Sequence, residues 1–194
     1  KVGYGGVPST TVPNKMSDLV HIQGNEVTID SPVTPIKLLA VETGINGRTN
    51  GVLKFVGENF ISGDTFRIEP NAVVYLGSSE GISAAPTLTG NVQTTNRVLS
   101  SEATYIYWGG LTQVTGLGIP NNIKNLIVEK DTNTSVTLSK NTVIDSALHI
   151  SNAILDMGGY TLNGSTSERS LTMSGGEFIV RSAFPQNYTS PTFT

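Results

Sequence analysis

Two segments in the C-terminal half of the chain carry the same apolar pattern at a constant offset, and this recurrence limits the folds open to the chain. Residues 148–157 read LHISNAILDM and residues 171–180 read LTMSGGEFIV. Their apolar positions coincide in four pairs: Leu148 with Leu171, Ile150 with Met173, Leu155 with Phe178, and Met157 with Val180. One step earlier, Leu126-x-Val128 precedes Leu148-x-Ile150 by nearly the same offset. The chain therefore repeats a unit of about 22–23 residues, a period typical of solenoid proteins.

Each apolar-x-apolar triplet has the period of two that is typical of a short strand with one buried face. Further triplets fill the unit and continue into the N-terminal half: Val136-x-Leu138, Thr142-x-Ile144, Tyr160-x-Leu162, Val27-x-Ile29, Leu38-x-Ala40, Leu53-x-Phe55, Phe66-x-Ile68 and Val74-x-Leu76. Three short strands per unit, joined by Gly, Asn and Ser turns, describe a coil that stacks on its neighbours.

The pattern predicts an all-β fold, a right-handed parallel β-helix (β-solenoid) with about 22–23 residues per coil and roughly eight coils. A coil this thin buries its strands only against the coils above and below it. The alternative is a β-sandwich, because Asn-Gly, a frequent hairpin turn, occurs at 46–47, 50–51 and 163–164.

No linker divides the chain, so we predict one continuous solenoid domain over residues 18–183. Residues 1–17 lack periodicity and contain Pro8 and Pro13, which indicates an N-terminal arm or cap. Residues 184–194 are the predicted C-terminal tail or cap. Such covers matter because the ends of a solenoid are open sheet edges.

The composition favours a secreted protein. The chain has no cysteine, which removes disulfides and thiolate metal sites, and it is rich in Ser, Thr and Asn. Its net charge is −3 with scattered basic residues, so we expect no nucleic-acid partner. No apolar run is long enough to span a bilayer, so we expect no membrane-spanning segment.

Carboxylates are the groups that need most attention, because many parallel β-helices degrade polysaccharides. Such an enzyme needs acids that converge on one side of the coil stack. The repeat alignment places Asp156 opposite Ile179, so the acids do not recur in register. The two histidines, His21 and His149, are flanked by apolar residues and point outward by alternation. We therefore predict no enzymatic activity, no metal site and no cofactor.

The segment Tyr-Ile-Tyr-Trp at 105–108 is the most interesting candidate for a binding surface. In a strand, alternation places Tyr105 and Tyr107 on one face and Ile106 and Trp108 on the other. Exposed aromatic rings stack on sugar rings, which makes Tyr105, Tyr107 and Trp108 candidate ligand-binding residues. The alternative is structural, with one face in the core and the other beneath a neighbouring loop.

Residues 104–162 contain a set of motif residues spread over several strands and turns: Tyr105, Tyr107, Gly109, Gln113, Thr115, Gly116, Pro120, Asn125, Leu126, Val136, Leu138, Ser139, Gly158, Gly159, Tyr160 and Leu162. In these residues the segment resembles repeats in large secreted surface proteins of Bacteroidetes-type bacteria. Residues 63–82 also resemble the coil that often precedes these repeats. The resemblance implies a scaffold in an adhesin-like protein exported by the type IX route. It also implies O-glycosylation at Asp-Ser/Thr-apolar sites, which makes Ser146 a candidate.

Together these observations predict a non-enzymatic, extracellular structural or adhesive module of a bacterial cell surface, able to self-assemble into a stalk or filament. Its expected partners are itself, other surface proteins and surface glycans. One alternative is a carbohydrate-binding module that uses the aromatic segment. Another is a polysaccharide-degrading β-helix enzyme, for which two carboxyl groups would face each other across a groove.

Overall fold

A computed structural model describes residues 19–44, 49–131, 134–164 and 170–179. These residues form sixteen β-strands and no helix. In chain order the strands are β1 Leu19–Ile22, β2 Glu26–Ile29, β3 Val33–Val41, β4 Val52–Phe55, β5 Ile61–Ile68, β6 Val73–Leu76, β7 Val92–Leu99, β8 Thr104–Gly109, β9 Gln113–Val114, β10 Asn122–Lys130, β11 Ser135–Thr137, β12 Thr142–Ser151, β13 Ile154–Asp156, β14 Leu162–Gly164, β15 Ser170–Ser174 and β16 Glu177–Ile179.

The strands form three parallel sheets that run along one stack of coils. The long sheet has the order β2-β4-β6-β8-β10-β12, and both β14 and β15 pair with β12. The N-terminal sheet is β1-β3-β5-β7, and the C-terminal sheet is β9-β11-β13-β16. Each pairing joins strands of successive coils, so the fold is a β-solenoid and not a β-sandwich. It has about seven coils, one fewer than predicted. Its right-handedness stays a prediction.

The predicted repeat matches the register of the C-terminal coils. Leu126 pairs with Leu148 and Leu148 with Leu171, so these coils have the length that the sequence predicts. Leu155 pairs with Phe178 on the C-terminal sheet, as the alignment predicts. Val180, the last residue of that alignment, lies outside the described residues.

Two of the predicted triplets are wrong. Thr142 pairs with Leu162, and Tyr160 lies in the preceding turn with 39% of its surface exposed. In the N-terminal sheet, the stacked pair is Leu39-x-Val41, one residue later than predicted, and it pairs with Phe66-x-Ile68. Ile36 is buried as well as Val33 and Leu39, so the inward positions of β3 do not keep a strict period of two, and the register with β5 shifts between Val33 and Ile36.

The coils between β2 and β8 are less regular than those that follow. Their paired positions on the long sheet are Val27 with Leu53, Leu53 with Val74, and Val74 with Tyr105. These three spacings are unequal, the second being the shortest and the third the longest. The longest coil is lengthened by an insertion within residues 77–91, between β6 and β7, and the carbonyls of Ser79 and Ile82 in this segment still accept hydrogen bonds from the backbone N–H groups of Val114 and Gly118 in the next coil. The predicted coil length therefore holds only for the C-terminal coils.

A buried asparagine fixes the base of this insertion. Asn91 is fully buried, and its Oδ1 accepts hydrogen bonds from the backbone N–H of Gly77 at 3.0 Å and of Ser78 at 2.9 Å. Its Nδ2 donates to the backbone carbonyls of Gly57 at 2.9 Å and Asn59 at 2.6 Å. One side chain thus replaces the backbone pairing that the insertion interrupts.

The core consists of side chains that stack in columns between the sheets. Those of the long sheet that are fully buried are Leu53, Phe55, Val74, Leu76, Tyr105, Tyr107, Leu126, Val128 and Ile150. Burial of each large apolar side chain contributes about 1.5–3 kcal/mol to the stability. The bounds of the predicted solenoid domain stay a prediction, and the predicted arm at 1–17 and tail at 184–194 lie outside the described residues.

Candidate functional site

The aromatic segment of β8 alternates as predicted, with Tyr105 and Tyr107 facing the core. Both side chains are fully buried. The hydroxyl of Tyr105 donates to the carbonyl of Ser100 at 2.8 Å, and that of Tyr107 donates to the carbonyl of Thr115 at 2.7 Å. Burial raises the pKa of both phenols. Neither ring can reach a surface ligand, so Tyr105 and Tyr107 are core residues and their predicted role in ligand binding is wrong.

Trp108 lies on the outer face of the long sheet and remains partly exposed. Its indole Nε1 donates to the carbonyl of Phe55 at 2.8 Å, two strands away on β4. Gly77 follows β6, the strand between them, and a Cβ added there would lie 2.6 Å from the same carbonyl oxygen. The missing side chain at Gly77 therefore leaves room for the indole to reach Phe55.

Three further side chains, those of Lys54, Tyr75 and Glu129, form an outer-face cluster with Trp108. The ring centroids of Tyr75 and Trp108 are 6.2 Å apart and the rings are perpendicular. The ammonium of Lys54 lies 3.9 Å from the Trp108 centroid and 5.1 Å from that of Tyr75, within the range of a cation–π interaction. We call Lys54, Tyr75 and Trp108, with Glu129, the outer-face cluster.

Glu129 supplies the negative charge of this cluster. It pairs in register with Trp108 on the neighbouring strand. Burial raises the pKa of the Tyr75 hydroxyl, and the carboxylates of Glu129 and Glu26 raise it further. The cluster thus places an ammonium donor and a carboxylate acceptor next to two aromatic rings. This arrangement can stack on and hydrogen-bond a polar ring such as a sugar.

Two buried polar side chains, those of Gln113 and Lys130, lie inside the solenoid and were not predicted from the sequence. Gln113 is buried on β9, and its Nε2 donates to the carbonyls of Leu76 and Ser78, both at 2.9 Å. Lys130 is also buried, and its Nζ donates to the carbonyl of Leu111 at 2.9 Å and to Oε1 of Gln113. Burial lowers the pKa of Lys130 to about 8, although the charge of Asp131 opposes the shift.

The burial of Lys130 could have been predicted from the alternation in the sequence. Leu126, Val128 and Lys130 occupy alternate positions of β10, and all three side chains are buried. A lysine at an inward position of a strand indicates a buried hydrogen-bonded amine. The role of Lys130 is to bind backbone and amide oxygens, which is a structural function.

The remaining candidate residues lie on the outside of the coils. His21 Nδ1 hydrogen-bonds to the Glu42 carboxylate, and His149 lies at an outward, partly buried position of β12. Ser146 is partly exposed in a bulge of β12 that also contains Asp145, opposite Lys124 on β10. Its O-glycosylation stays a prediction.

Within the described ranges, no group of three or more His, Asp or Glu side chains could hold a metal ion. In the same part of the chain, no helix is long and apolar enough to cross a membrane. Comparisons with protein-family models, curated proteins and solved structures find no match to this chain.

Proposed function

We propose that this chain is a non-enzymatic structural and adhesive module of an extracellular bacterial surface. The observation that carries the proposal is the stack of coils, whose core consists of apolar columns. Buried polar side chains, those of Asn91 and Gln113, also hydrogen-bond to the backbone of adjacent coils. The polar groups of the interior serve to hold one coil on the next. The resemblance of residues 104–162 to bacterial surface repeats supports the proposed location at the cell surface.

The adhesive part of the proposal rests on the outer-face cluster. Trp108 on β8 and Tyr75 on β6 are neighbouring aromatic residues on the outer face of the long sheet. Lys54 and Glu129 flank them with opposite charges. Such a face offers a stacking surface and hydrogen-bonding groups to a glycan or a neighbouring surface protein.

Surface labelling of cells tests the location and the role together. Antibody raised against the purified chain should label intact cells of the source bacterium as strongly as permeabilised cells. In-frame removal of the segment should reduce the attachment of these cells to a coated surface several-fold and leave the release of reducing sugar from polysaccharides unchanged. Labelling that requires permeabilisation, or a loss of sugar release, would contradict the proposal.

A carbohydrate-binding module is a second candidate, favoured by the partly exposed Trp108 beside Lys54. In this case Trp108→Ala should reduce retention on a glycan array at least tenfold, in line with the loss of about 1.4 kcal/mol or more of binding free energy. Tyr160→Ala, at an exposed aromatic residue outside the cluster, is the matched control and should bind like the unmodified chain. Equal binding by both variants would exclude this site.

A further inference from the structure

The ammonium group of Lys54 lies over the aromatic rings of the outer-face cluster. Its Nζ is 3.9 Å from the ring centroid of Trp108 and 5.1 Å from that of Tyr75. The ammonium groups of Lys130 and Lys140 donate hydrogen bonds to backbone carbonyls of the preceding coil. Among the described residues, by contrast, Lys54 forms no ion pair and donates no hydrogen bond. Cation–π contacts at a partly exposed position are weak, so the Lys54 ammonium can leave the rings.

The indole of Trp108 is held in place more firmly than Lys54. Its Nε1 donates to the carbonyl of Phe55 at 2.8 Å, and its ring meets that of Tyr75 edge to face, with a centroid distance of 6.2 Å. The side chain remains partly exposed. Departure of the Lys54 ammonium would therefore uncover a ring face whose orientation the protein already fixes. A ligand binds such a preorganised surface at a lower entropic cost.

Two carboxylates border these rings. Glu129 pairs in register with Trp108, and both Glu129 and Glu26 are exposed. Burial raises the pKa of the Tyr75 hydroxyl, and the negative charges of Glu129 and Glu26 raise it further, so both charges act at the rings. Departure of the Lys54 ammonium would leave two negative charges beside the aromatic faces. An occupant that replaces Lys54 should therefore carry a positive charge of its own.

Three kinds of occupant differ in what they offer at these rings. A simple alkylammonium exchanges one cation–π contact for another, so it gains nothing over Lys54. A neutral sugar stacks on the indole, but it leaves the carboxylates without the positive charge that Lys54 supplies. An amino sugar replaces that charge, places the apolar face of its ring on Trp108, and offers hydroxyl donors to the Glu129 carboxylate. The contacts therefore favour an amino sugar.

We propose that the outer-face cluster binds glycans whose amino sugars have free amino groups, and that Lys54 occupies the site until such a ligand displaces it. This inference rests on the adhesive part of the proposed function and names the class of glycan that is bound. It gives the two charged side chains nearest Trp108 opposite roles. The carboxylate of Glu129 attracts the ligand, whereas the ammonium of Lys54 competes with it.

Fluorescence titration tests the proposal directly, because Trp108 is the single tryptophan of the chain. The probes are a glucosamine tetramer with protonated amino groups and the N-acetylglucosamine tetramer, which has the same backbone without the charge. The emission of the unmodified chain should respond to the glucosamine tetramer with an affinity about tenfold higher than to the acetylated one. Lys54→Met should tighten the binding of the glucosamine tetramer about threefold, because no internal ammonium then competes for the rings.

The carboxylates supply a matched pair of variants. Glu129→Gln should weaken the binding of the glucosamine tetramer about fivefold, because it removes a charge-assisted acceptor. Glu102→Gln removes an exposed carboxylate that precedes β8, at the opposite end of the strand from Trp108, and should leave the affinity unchanged. Circular dichroism establishes that the variants are folded, and Lys54→Gln replaces Lys54→Met if the latter unfolds.

Several results would overturn the proposal. They are the absence of any response, equal affinity for the two tetramers, and weaker binding of the glucosamine tetramer by Lys54→Met. A lysine tetrapeptide that binds as tightly as the glucosamine tetramer would equally overturn it, because the site would then recognise an ammonium without a sugar. The labelling and attachment of intact cells do not depend on this titration, so its failure leaves the proposed surface role standing.

Discussion

The coils from β10 to β16 and the coil around residues 77–113 reach the same stacked geometry by different means. The C-terminal coils are nearly equal in length, and most of their interior consists of apolar residues in register, with Lys130, Thr142 and Asp156 as buried polar residues. The coil with the insertion, from Val74 to Tyr105 on the long sheet, is longer and depends on the buried amides of Asn91 and Gln113. Apolar columns therefore supply most of the core where coils are equal in length, whereas the insertion is held at its base by particular hydrogen-bonding side chains.

The largest effect is expected at Asn91. Asn91→Ala should lower the free energy of unfolding by about 4 kcal/mol, because it leaves two backbone N–H groups and two carbonyls without their partner. Chemical denaturation monitored by circular dichroism measures the change. Asn122→Ala, at an exposed position of β10, is the control and should change stability by less than about 0.5 kcal/mol. If both substitutions lowered the free energy of unfolding equally, Asn91 would have no special role at the insertion.

Truncation of an apolar column should have the next largest effect. Leu126→Ala, in the middle of the regular coils, should cost about 3 kcal/mol because it leaves a cavity in a fully buried column. Leu171→Ala, in the same column on the last described coil, should cost only about 1 kcal/mol because the side chain is partly buried. Denaturation of both variants at one concentration measures the ratio. A cost at Leu171 equal to that at Leu126 would contradict the expected dependence on burial.

Lys130 on β10, which hydrogen-bonds to Gln113 of the preceding coil, should make the stability of the chain depend on pH. Its pKa is about 8 in the folded chain and 10.5 in the reference state, so the unfolded chain binds more protons between these values. Stability should therefore increase as the pH rises above 8, by about 1–2 kcal/mol before the tyrosines ionise. Lys130→Met should abolish this increase in denaturation midpoints. Persistence of the increase in Lys130→Met would assign it to another group.

The smallest effect is expected at the Lys54–Trp108 pair of the outer-face cluster, which joins β4 and β8. A double-mutant cycle of Lys54→Met and Trp108→Phe should give a coupling energy of about 0.5–1 kcal/mol, the value typical of a partly exposed cation–π pair. Lys37→Met, at an exposed residue of β3, replaces Lys54→Met in the control cycle and should show no coupling with Trp108→Phe. A coupling near zero for the first cycle would leave the indole–carbonyl hydrogen bond as the fixed contact of Trp108.

The regular coils could be predicted from the sequence because register in a solenoid follows apolar alternation. Leu148, Leu155 and their partners recur at constant spacing, and nothing interrupts the alternation between them. The prediction is wrong at Leu38-x-Ala40 because a run of consecutive apolar residues satisfies alternation in either phase, and the buried Ile36 favours the wrong one. The prediction is also wrong at Tyr160-x-Leu162, because Tyr160 lies in the turn and the strand begins only at Leu162. In the sequence alone, an apolar turn residue two positions before an inward residue has the same pattern as a strand.

The polar groups could not be predicted in the same way. Asn91 binds atoms of residues 57–59 and 77–78, and these contacts depend on how the chain folds at the insertion. Trp108 reaches Phe55 across a strand of another coil, a contact 53 positions apart in sequence. The sequence separates the two faces of β8 correctly, but it does not specify which neighbours each face meets.

The direction of the strand pairing makes the solenoid mechanically anisotropic. Hydrogen bonds between strands run along the axis of the stack, because every pairing joins one coil to the next. Tension applied along this axis breaks the hydrogen bonds between one pair of coils at a time. The terminal coil therefore detaches first, at low force. A load applied along the strands instead shears several ladders at once. A protein of this kind withstands drag across its surface better than a pull on its tip.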